Sequence, residues 1–163
     1  MTSTEVAIAS QTLGSATATI TFSSIPSTYT DIRVVVNGTP TGNTQFRLRF
    51  NNDSGANYSG TEVRANGASA GSDRYNSDTG IYSNWAAFAT SAQPVLTTFN
   101  VFSYASSAKK TTLSTFNQDT NGSGTIEYGV GLWNSTSAIT TIDLSAAGNS
   151  FNTGTIVTLY GIL

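Results

Sequence analysis

Thr44-Gln-Phe-Arg-Leu-Arg-Phe-Asn51 alternates strictly between apolar and polar side chains. Phe46, Leu48 and Phe50 fall on one face of an extended chain, and the two arginines between them fall on the other. A period of two over this length indicates a β-strand with one buried face. The stretch therefore predicts a strand in a sheet that packs its apolar side onto a core.

Three further segments repeat this alternation. Residues 17–22 and 30–37 are rich in Thr, Val and Ile, which favour extended backbone. Residues 124–134 place their apolar side chains on one face and two glycines, where another backbone has room to approach, on the other. We expect the apolar side of each strand to lie in the core. In the last segment these apolar residues are Ile126, Tyr128, Val130 and Leu132, opposite Gly129 and Gly131.

Turn formers separate the segments. Asn37-Gly38, Asn66-Gly67 and Asn121-Gly122 readily adopt the positive φ of tight turns. Residues 51–80 form the longest stretch without a strand signal, and residues 58–65 carry a weak signal for a short helical turn. A loop of that length often forms a functional surface or an interface. Additional strand candidates are residues 5–10, 81–89, 95–104, 111–117, 139–144 and 155–162.

Many short strands in one chain of 163 residues need two packed sheets or a closed barrel. No window shows a convincing helical stripe. The predicted fold is all-β, a jelly-roll-like antiparallel β-sandwich of about ten short strands. We expect residues 1–163 to form a single domain.

Composition excludes several classes of function. The chain has no His and no Cys, so nucleophile–His catalysis and zinc binding by those ligands are ruled out. A net charge of −2 argues against a general nucleic-acid partner, which needs a basic field. The sequence shows neither an apolar run that would span a membrane nor a secretory signal. We expect no nucleic-acid or membrane partner, and synthesis in a reducing cytoplasm.

Nine carboxylates are scattered over turns and polar faces, which does not suggest a paired acid and base. Residues 51–57 place oxygen ligands at alternating positions, as calcium loops do, but lack a closing Glu, so a plain turn is favoured. The expectation is a protein that is not an enzyme and needs no cofactor.

Two sets of side chains are candidates for binding. Aromatic residues beside Asn and Asp form either a sugar-binding platform or part of the core, which is their commoner place. Arginines opposite the apolar face of their strands form either a basic ladder that docks on an acidic surface or a solvated sheet face. The aromatic set is Tyr58, Tyr75, Tyr82, Trp85 and Trp133, and the basic set is Arg33, Arg47 and Arg49.

Three segments carry a resemblance to a known group. They are Ile8-Ala-Ser-Gln-Thr-Leu-Gly-Ser-Ala-Thr-Ala-Thr-Ile-Thr-Phe-Ser-Ser-Ile-Pro-Ser-Thr-Tyr-Thr-Asp-Ile32, Arg49-Phe-Asn-Asn-Asp-Ser-Gly-Ala-Asn-Tyr-Ser59 and Asn149-Ser-Phe-Asn-Thr-Gly-Thr-Ile-Val-Thr-Leu-Tyr-Gly-Ile162. Together they resemble small β-rich virion proteins of tailed bacteriophages, cyanophages among them. Similar domains in that group serve as capsid decoration (cement) proteins or as parts of tail fibres.

The resemblance implies a role more than a chemistry. It implies a decoration protein on the outer capsid surface of the virion, made in the bacterial host cytoplasm. Its partner would be the major capsid protein of the same phage, and its expected state is a homo-trimer at three-fold junctions. The alternative is a host-recognition module of a tail fibre or spike that binds a host surface glycan. No stalk segment is expected before the β-domain, which favours decoration.

Overall fold

The computed structural model describes residues 4–86 and 89–163, and these residues form two antiparallel sheets without a helix. The prediction of an all-β antiparallel sandwich is confirmed. Twelve strands are found in the described residues rather than about ten. They are β1 (Glu5–Thr12), β2 (Thr19–Phe22), β3 (Asp31–Gly38), β4 (Phe46–Phe50), β5 (Tyr58–Ala65), β6 (Ala70–Asp78), β7 (Ile81–Tyr82), β8 (Val95–Phe102), β9 (Lys110–Asp119), β10 (Gly124–Trp133), β11 (Ile142–Ala146) and β12 (Ile156–Ile162).

The strand order explains how the chain is wound. One sheet has the order β1-β12-β3-β8-β9-β10-β5-β6, and the other has the order β2-β11-β4-β7. The pairs β1–β12, β2–β11, β3–β8 and β4–β7 are nested in sequence, as in a long hairpin folded over on itself. Such nested pairing in two sheets is consistent with a jelly-roll-like path. Strands β9, β10, β5 and β6 then extend only the larger sheet, and we call these four strands the extension.

The core lies between the two sheets and follows the predicted alternation. Phe46, Leu48 and Phe50 of β4 are fully buried, as are the three inward apolar residues of β3. Each such side chain contributes roughly 1.5–3 kcal/mol when it leaves water. The apolar residues of β12 that alternate with threonine, Val157 and Leu159, complete the same layer.

The expected loop over residues 51–80 is wrong, because most of it is the hairpin of β5 and β6. The short helical turn weakly indicated at residues 58–65 is also wrong, because these residues form β5. The alternation was hidden because the inward positions of β5 are Tyr58, Gly60 and Glu62, which do not form an apolar series. The turn of this hairpin is Asn66-Gly67, as predicted, with Gly67 at a φ of 83°.

Of the other two predicted turns, one is confirmed. Asn121 and Gly122 join β9 to β10 with φ values of 62° and 108°, the conformation of a tight hairpin turn. Asn37 and Gly38 instead end β3, where they pair with β8.

The expectation that the apolar side of β10 faces the core is wrong. Tyr128 and Val130 are 54% and 56% exposed, and the inward side carries Glu127, the two glycines and Trp133. The reason is space. A Cβ on Gly131 would lie 2.8 Å from the side chain of Ile81 in β7, and a Cβ on Gly129 would lie 2.8 Å from Ser114 Oγ. Side chains of β7 and β9, rather than another backbone, make the close approach.

The larger sheet has eight strands and the smaller sheet four, so the smaller sheet does not cover the whole extension. The candidate strand at residues 81–89 is a strand only at Ile81–Tyr82, and residues 87–88 lie outside the described part. Irregular chain continues through residues 83–86 and 89–94, which we call the strap. The strap contacts the inner face of the extension through hydrogen bonds to Glu62 and Gln118.

Candidate functional site

The three candidate arginines do not form one ladder, because their strands belong to different sheets. Arg33 lies on the outer face of the larger sheet, where it donates to Asn100 Oδ1 at 2.7 Å and to Glu5 Oε1 at 3.1 Å. Arg49 lies on the outer face of the smaller sheet and donates to the carbonyl oxygen of Thr79 at 2.6 Å. The joint basic ladder, one of the two alternatives left open by the sequence, is therefore not formed by these residues.

Arg47 shares the outer face of β4 with Arg49, but its side chain is half-buried. It lies opposite Tyr82 and Ser145 in the neighbouring strands, and its aliphatic part lies so close to Gly80 that a Cβ there would meet Arg47 Cγ at 2.5 Å. Its Nε is buried and has no hydrogen-bond partner in the described residues. Arg47 therefore packs within the sheet rather than presenting its charge to a partner.

The five candidate aromatic residues divide into two clusters, and neither forms an exposed platform. In the first, Tyr58 stacks on Trp133 with centroids 6.3 Å apart, and both rings contact Phe50. Tyr58 is 1% exposed and Trp133 is 3% exposed. Burial raises the pKa of the Tyr58 phenol to about 12. This cluster belongs to the core.

The second cluster joins Tyr75, Tyr82 and Trp85 at the end of the smaller sheet. The two tyrosines are buried, Trp85 is half-buried, and all three centroid distances lie between 4.8 and 5.5 Å. Tyr75 packs over Gly60, where any Cβ would come within 2.4 Å of the phenol ring. The rings pack on each other and only Trp85 keeps part of its surface exposed, so the cluster does not form the broad exposed platform that was one of the two alternatives.

The loop at residues 51–57 is a structural turn, as the favoured interpretation predicted. Asp53 accepts hydrogen bonds from Trp133 Nε1 at 2.7 Å, from Asn57 Nδ2 at 3.0 Å and from the backbone of Gly55 at 2.9 Å. Burial alone would raise the pKa of Asp53, but these hydrogen bonds outweigh it, so the pKa is lowered. The carboxylate oxygens are thus committed to the fold, and the described residues contain no group of three or more His, Cys, Asp or Glu side chains placed to hold a metal.

Two carboxylates that looked scattered in the sequence meet beneath the strap. Glu62 of β5 and Glu127 of β10 are 2% and 0% exposed, on adjacent strands and the same inward face. Glu62 accepts the backbone N–H groups of Ala86 at 2.9 Å and Trp85 at 3.3 Å. Neither oxygen of Glu127 has a donor among the described residues. Burial, together with the neighbouring Glu62, raises the pKa of Glu127 far above its usual range.

Because the pKa of Glu127 is raised, the two carboxyl groups can hold a proton between them. A shared proton avoids two adjacent buried negative charges, which would repel each other in a medium of low dielectric constant. Glu62 holds the strap through its two backbone bonds. The pair therefore has a structural use in this fold. The sequence offered no signal for it, because the two residues are 65 positions apart in sequence numbering.

The most distinctive surface is the outer side of strands β8, β9, β10 and β5. Four rows of outward residues run in register across these strands, and none of the sixteen residues in the rows is charged; the next outward residue of β9, Asp119, lies just beyond the last row. We call this surface the uncharged face. Its residues are Leu96, Thr98, Asn100, Phe102, Thr111, Leu113, Thr115, Asn117, Ile126, Tyr128, Val130, Leu132, Ser59, Thr61, Val63 and Ala65.

Large apolar side chains dominate the centre of the uncharged face. Val130 lies directly opposite Leu113 on β9, and Tyr128 lies directly opposite Val63 on β5. Seven of the ten large hydrophobic residues that are exposed among the described residues belong to this face. A shallow groove runs across it, bounded at the edge of the sheet by Arg74. Of the candidate residues from the sequence, Tyr75 lines this groove, and the outward apolar positions of the face had been assigned to the core.

Several polar groups of the uncharged face already have partners within the sheet. Thr98 and Thr115 share a hydrogen bond of 2.7 Å between their hydroxyl oxygens, and the Asn100 amide binds both Arg33 and the carbonyl of Leu113. Groups that are already paired lose less when water is removed from them. The outer face of the smaller sheet differs, since Arg47, Arg49 and Asp143 lie at its centre. The two sides of the sandwich therefore have different chemical character.

Comparison with protein-family models, with curated proteins and with solved structures found no match to this chain. Within residues 4–86 and 89–163, no helix has the length and apolar character needed to cross a membrane.

Proposed function

We propose that this chain is a structural protein of a tailed-bacteriophage virion, and that it decorates the capsid and stabilises the shell at junctions between subunits. The observation that carries the proposal is the uncharged face. A contiguous apolar surface of this kind on a folded domain marks a site of protein association. The sequence resemblance of residues 8–32, 49–59 and 149–162 to virion proteins supports the choice of assembly. The partner under this proposal is the major capsid protein of the same phage.

The build of the domain suits such a role. Its strands are joined in two continuous sheets, and its core is filled by aromatic and β-branched side chains. The Asp53 carboxylate fastens a surface loop to the indole of Trp133, and the strap is fastened through side chains of Glu62 and Gln118. Polar loops held by such bonds open less often than loops without them. A protein with few opening segments is durable on the outside of a particle.

The proposal predicts an abundant protein whose loss weakens the shell. Binding only to the assembled shell stabilises that shell by mass action. Particles that lack this chain are expected to assemble, yet to release their genome at a lower temperature than complete particles. Adding the purified protein back is expected to restore heat resistance. The measurements are band intensity relative to the major capsid protein and genome release during a temperature ramp.

The alternative is a host-recognition module of a tail fibre or spike that binds a surface glycan. That function predicts a scarce protein whose deletion abolishes adsorption and leaves the heat stability of the shell unchanged. This result would contradict decoration. The closed packing of Tyr75, Tyr82 and Trp85 favours decoration over glycan binding by those residues.

A further inference from the structure

The uncharged face carries an inference about its occupant. We propose that it pairs with the same face of a second copy of this chain, so that two larger sheets pack back to back. The inference rests on the association surface of the proposed function and names the partner of that surface: the face joins two copies into the decorating unit, and other surfaces of the pair contact the shell.

The uncharged face is large enough to form a specific interface. Neighbouring strands are about 4.8 Å apart and outward residues along a strand are about 6.6 Å apart, so the uncharged face covers on the order of 500 Å² in projection. A pair would bury about 1,000 Å² or more in total, the size at which specific interfaces begin. The contact is therefore large enough for a specific pair, yet small enough to dissociate on dilution.

The lack of charge on this face favours a partner surface that is also uncharged. A partner with a charged docking surface would leave its charges without counterparts on this face, which is costly when water is removed. The surface that is certain to be equally uncharged and apolar is the same face of another copy. Two antiparallel sheets pack well at a separation of about 10 Å with their strands turned by about 30°. Tyr128 and Val130 would lie at the centre, where an aromatic anchor contributes most.

The symmetry of the contact favours an assembly of two copies over one of three. A ring of three copies needs two different complementary patches on each copy, whereas a two-fold pair needs one patch that matches itself. The uncharged face is one continuous patch on one sheet. The geometry therefore favours a homo-dimer over the homo-trimer implied by the resemblance. The edge strands β1 and β6 and the loops remain free to contact the shell.

Mass measurement of the full chain tests the pairing. Sedimentation equilibrium over a range of concentrations is expected to show one copy at high dilution and two copies at high concentration. Val130→Lys places a charge at the centre of the face and is expected to weaken association at least tenfold. Val6→Lys is the matched control, since Val6 is an exposed valine of β1 outside the face. Both variants should keep the wild-type β spectrum because both positions are exposed.

Cross-linking gives a second readout, because the chain has no cysteine of its own. Under oxidation, Val130→Cys is expected to form a disulfide-linked pair and Val6→Cys is not. A wild-type protein that keeps the mass of one copy at every concentration, or that forms three copies, would overturn the pairing. So would association that Val130→Lys leaves unchanged. Decoration itself is judged by the add-back experiment, so a monomer that restores heat resistance would refute the pairing alone.

Discussion

At the scale of single residues, Asp53 joins a loop to the core. Its carboxylate accepts the indole N–H of buried Trp133, and hydrogen bonds to a charged group contribute roughly 1.5–3 kcal/mol. We expect Asp53→Ala to lower the free energy of unfolding by about that amount in urea titrations at neutral pH. Asp119→Ala is the control, because the carboxylate of Asp119 accepts only the backbone of Asn121 among the hydrogen bonds of the described residues. Equal losses in the two variants would contradict this role.

The same residue predicts a dependence on acid. Burial raises the pKa of Asp53, but its hydrogen bonds lower the pKa by a larger amount. The pKa therefore lies below the ordinary value of 3.8. A depressed pKa contributes stability that is present above 3.8 and is lost as the pH falls through the folded pKa. Asp53→Asn should therefore be less stable than the wild type at pH 7, and the gap should shrink in acid. Thermal melting at several pH values measures it.

Glu127 predicts the opposite dependence. Burial and the adjacent Glu62 raise its pKa above the ordinary value of 4.5, so the folded protein holds a proton that the unfolded chain releases. Below pH 4.5 the Glu127 carboxyl is neutral in both the folded and the unfolded protein, so it does not lower the stability there. As the pH rises above that value, the unfolded chain releases the proton first, so the stability falls. We expect Glu127→Gln to be more stable than the wild type at neutral and alkaline pH, with a flatter profile of melting temperature. Glu5→Gln, at a partly exposed carboxylate on the outer face of the larger sheet, should keep the wild-type slope. A wild-type slope in Glu127→Gln would contradict the shared proton.

At the scale of elements, β4 shows what alternation does and does not specify. Leu48 is fully buried, and Leu48→Ala is expected to cost roughly 2–5 kcal/mol. Arg47 points away from the core, yet its stem is packed beside Gly80, so Arg47→Ala should cost about 1 kcal/mol through lost packing. Urea denaturation of both variants measures the difference. A change below about 0.5 kcal/mol at Arg47 would show that this face is merely solvated.

Loss of the hydrogen bonds that hold the strap is expected to open the strap without opening the core. Gln118 accepts the backbone N–H of Thr90 and donates to the carbonyls of Thr90 and Gln93. Gln118→Ala removes these bonds, so amides of residues 89–93 should exchange hydrogen faster while β3 and β4 keep their protection. Gln11→Ala, which removes a single bond to Thr21 on the surface, should leave the strap unchanged. Uniformly faster exchange in Gln118→Ala would mean that the strap and the core open together.

At the scale of the whole molecule, stability is expected to be independent of metal ions. The oxygens of Asn51 and Asp53 bind protein donors, which leaves the loop at residues 51–57 little capacity to coordinate calcium. A chelator should therefore leave the melting temperature unchanged. A large fall would identify this loop as a calcium site, because loss of a bound ligand lowers apparent stability.

The all-β class and most strands could be predicted from the sequence, because a period of two, β-branched residues and Asn-Gly turns act locally. The sequence also determined that Phe46, Leu48 and Phe50 share one face. For β4 the inward side was evident, since the choice lay between apolar residues and arginines. The sequence could not indicate the β5–β6 hairpin, whose inward positions include glycine and glutamate.

The side of β10 that faces inward could be found only from the three-dimensional packing. Alternation tells which residues share a face, but the direction of that face depends on what packs against it. Here a sheet of eight strands packs against one of four, so the extension is covered by β7 and the strap, which leave room for glycines and a protonated glutamate. The apolar side of β10 then has to face outward. That arrangement, and not any local motif, creates the uncharged face and brings Glu62 and Glu127 together.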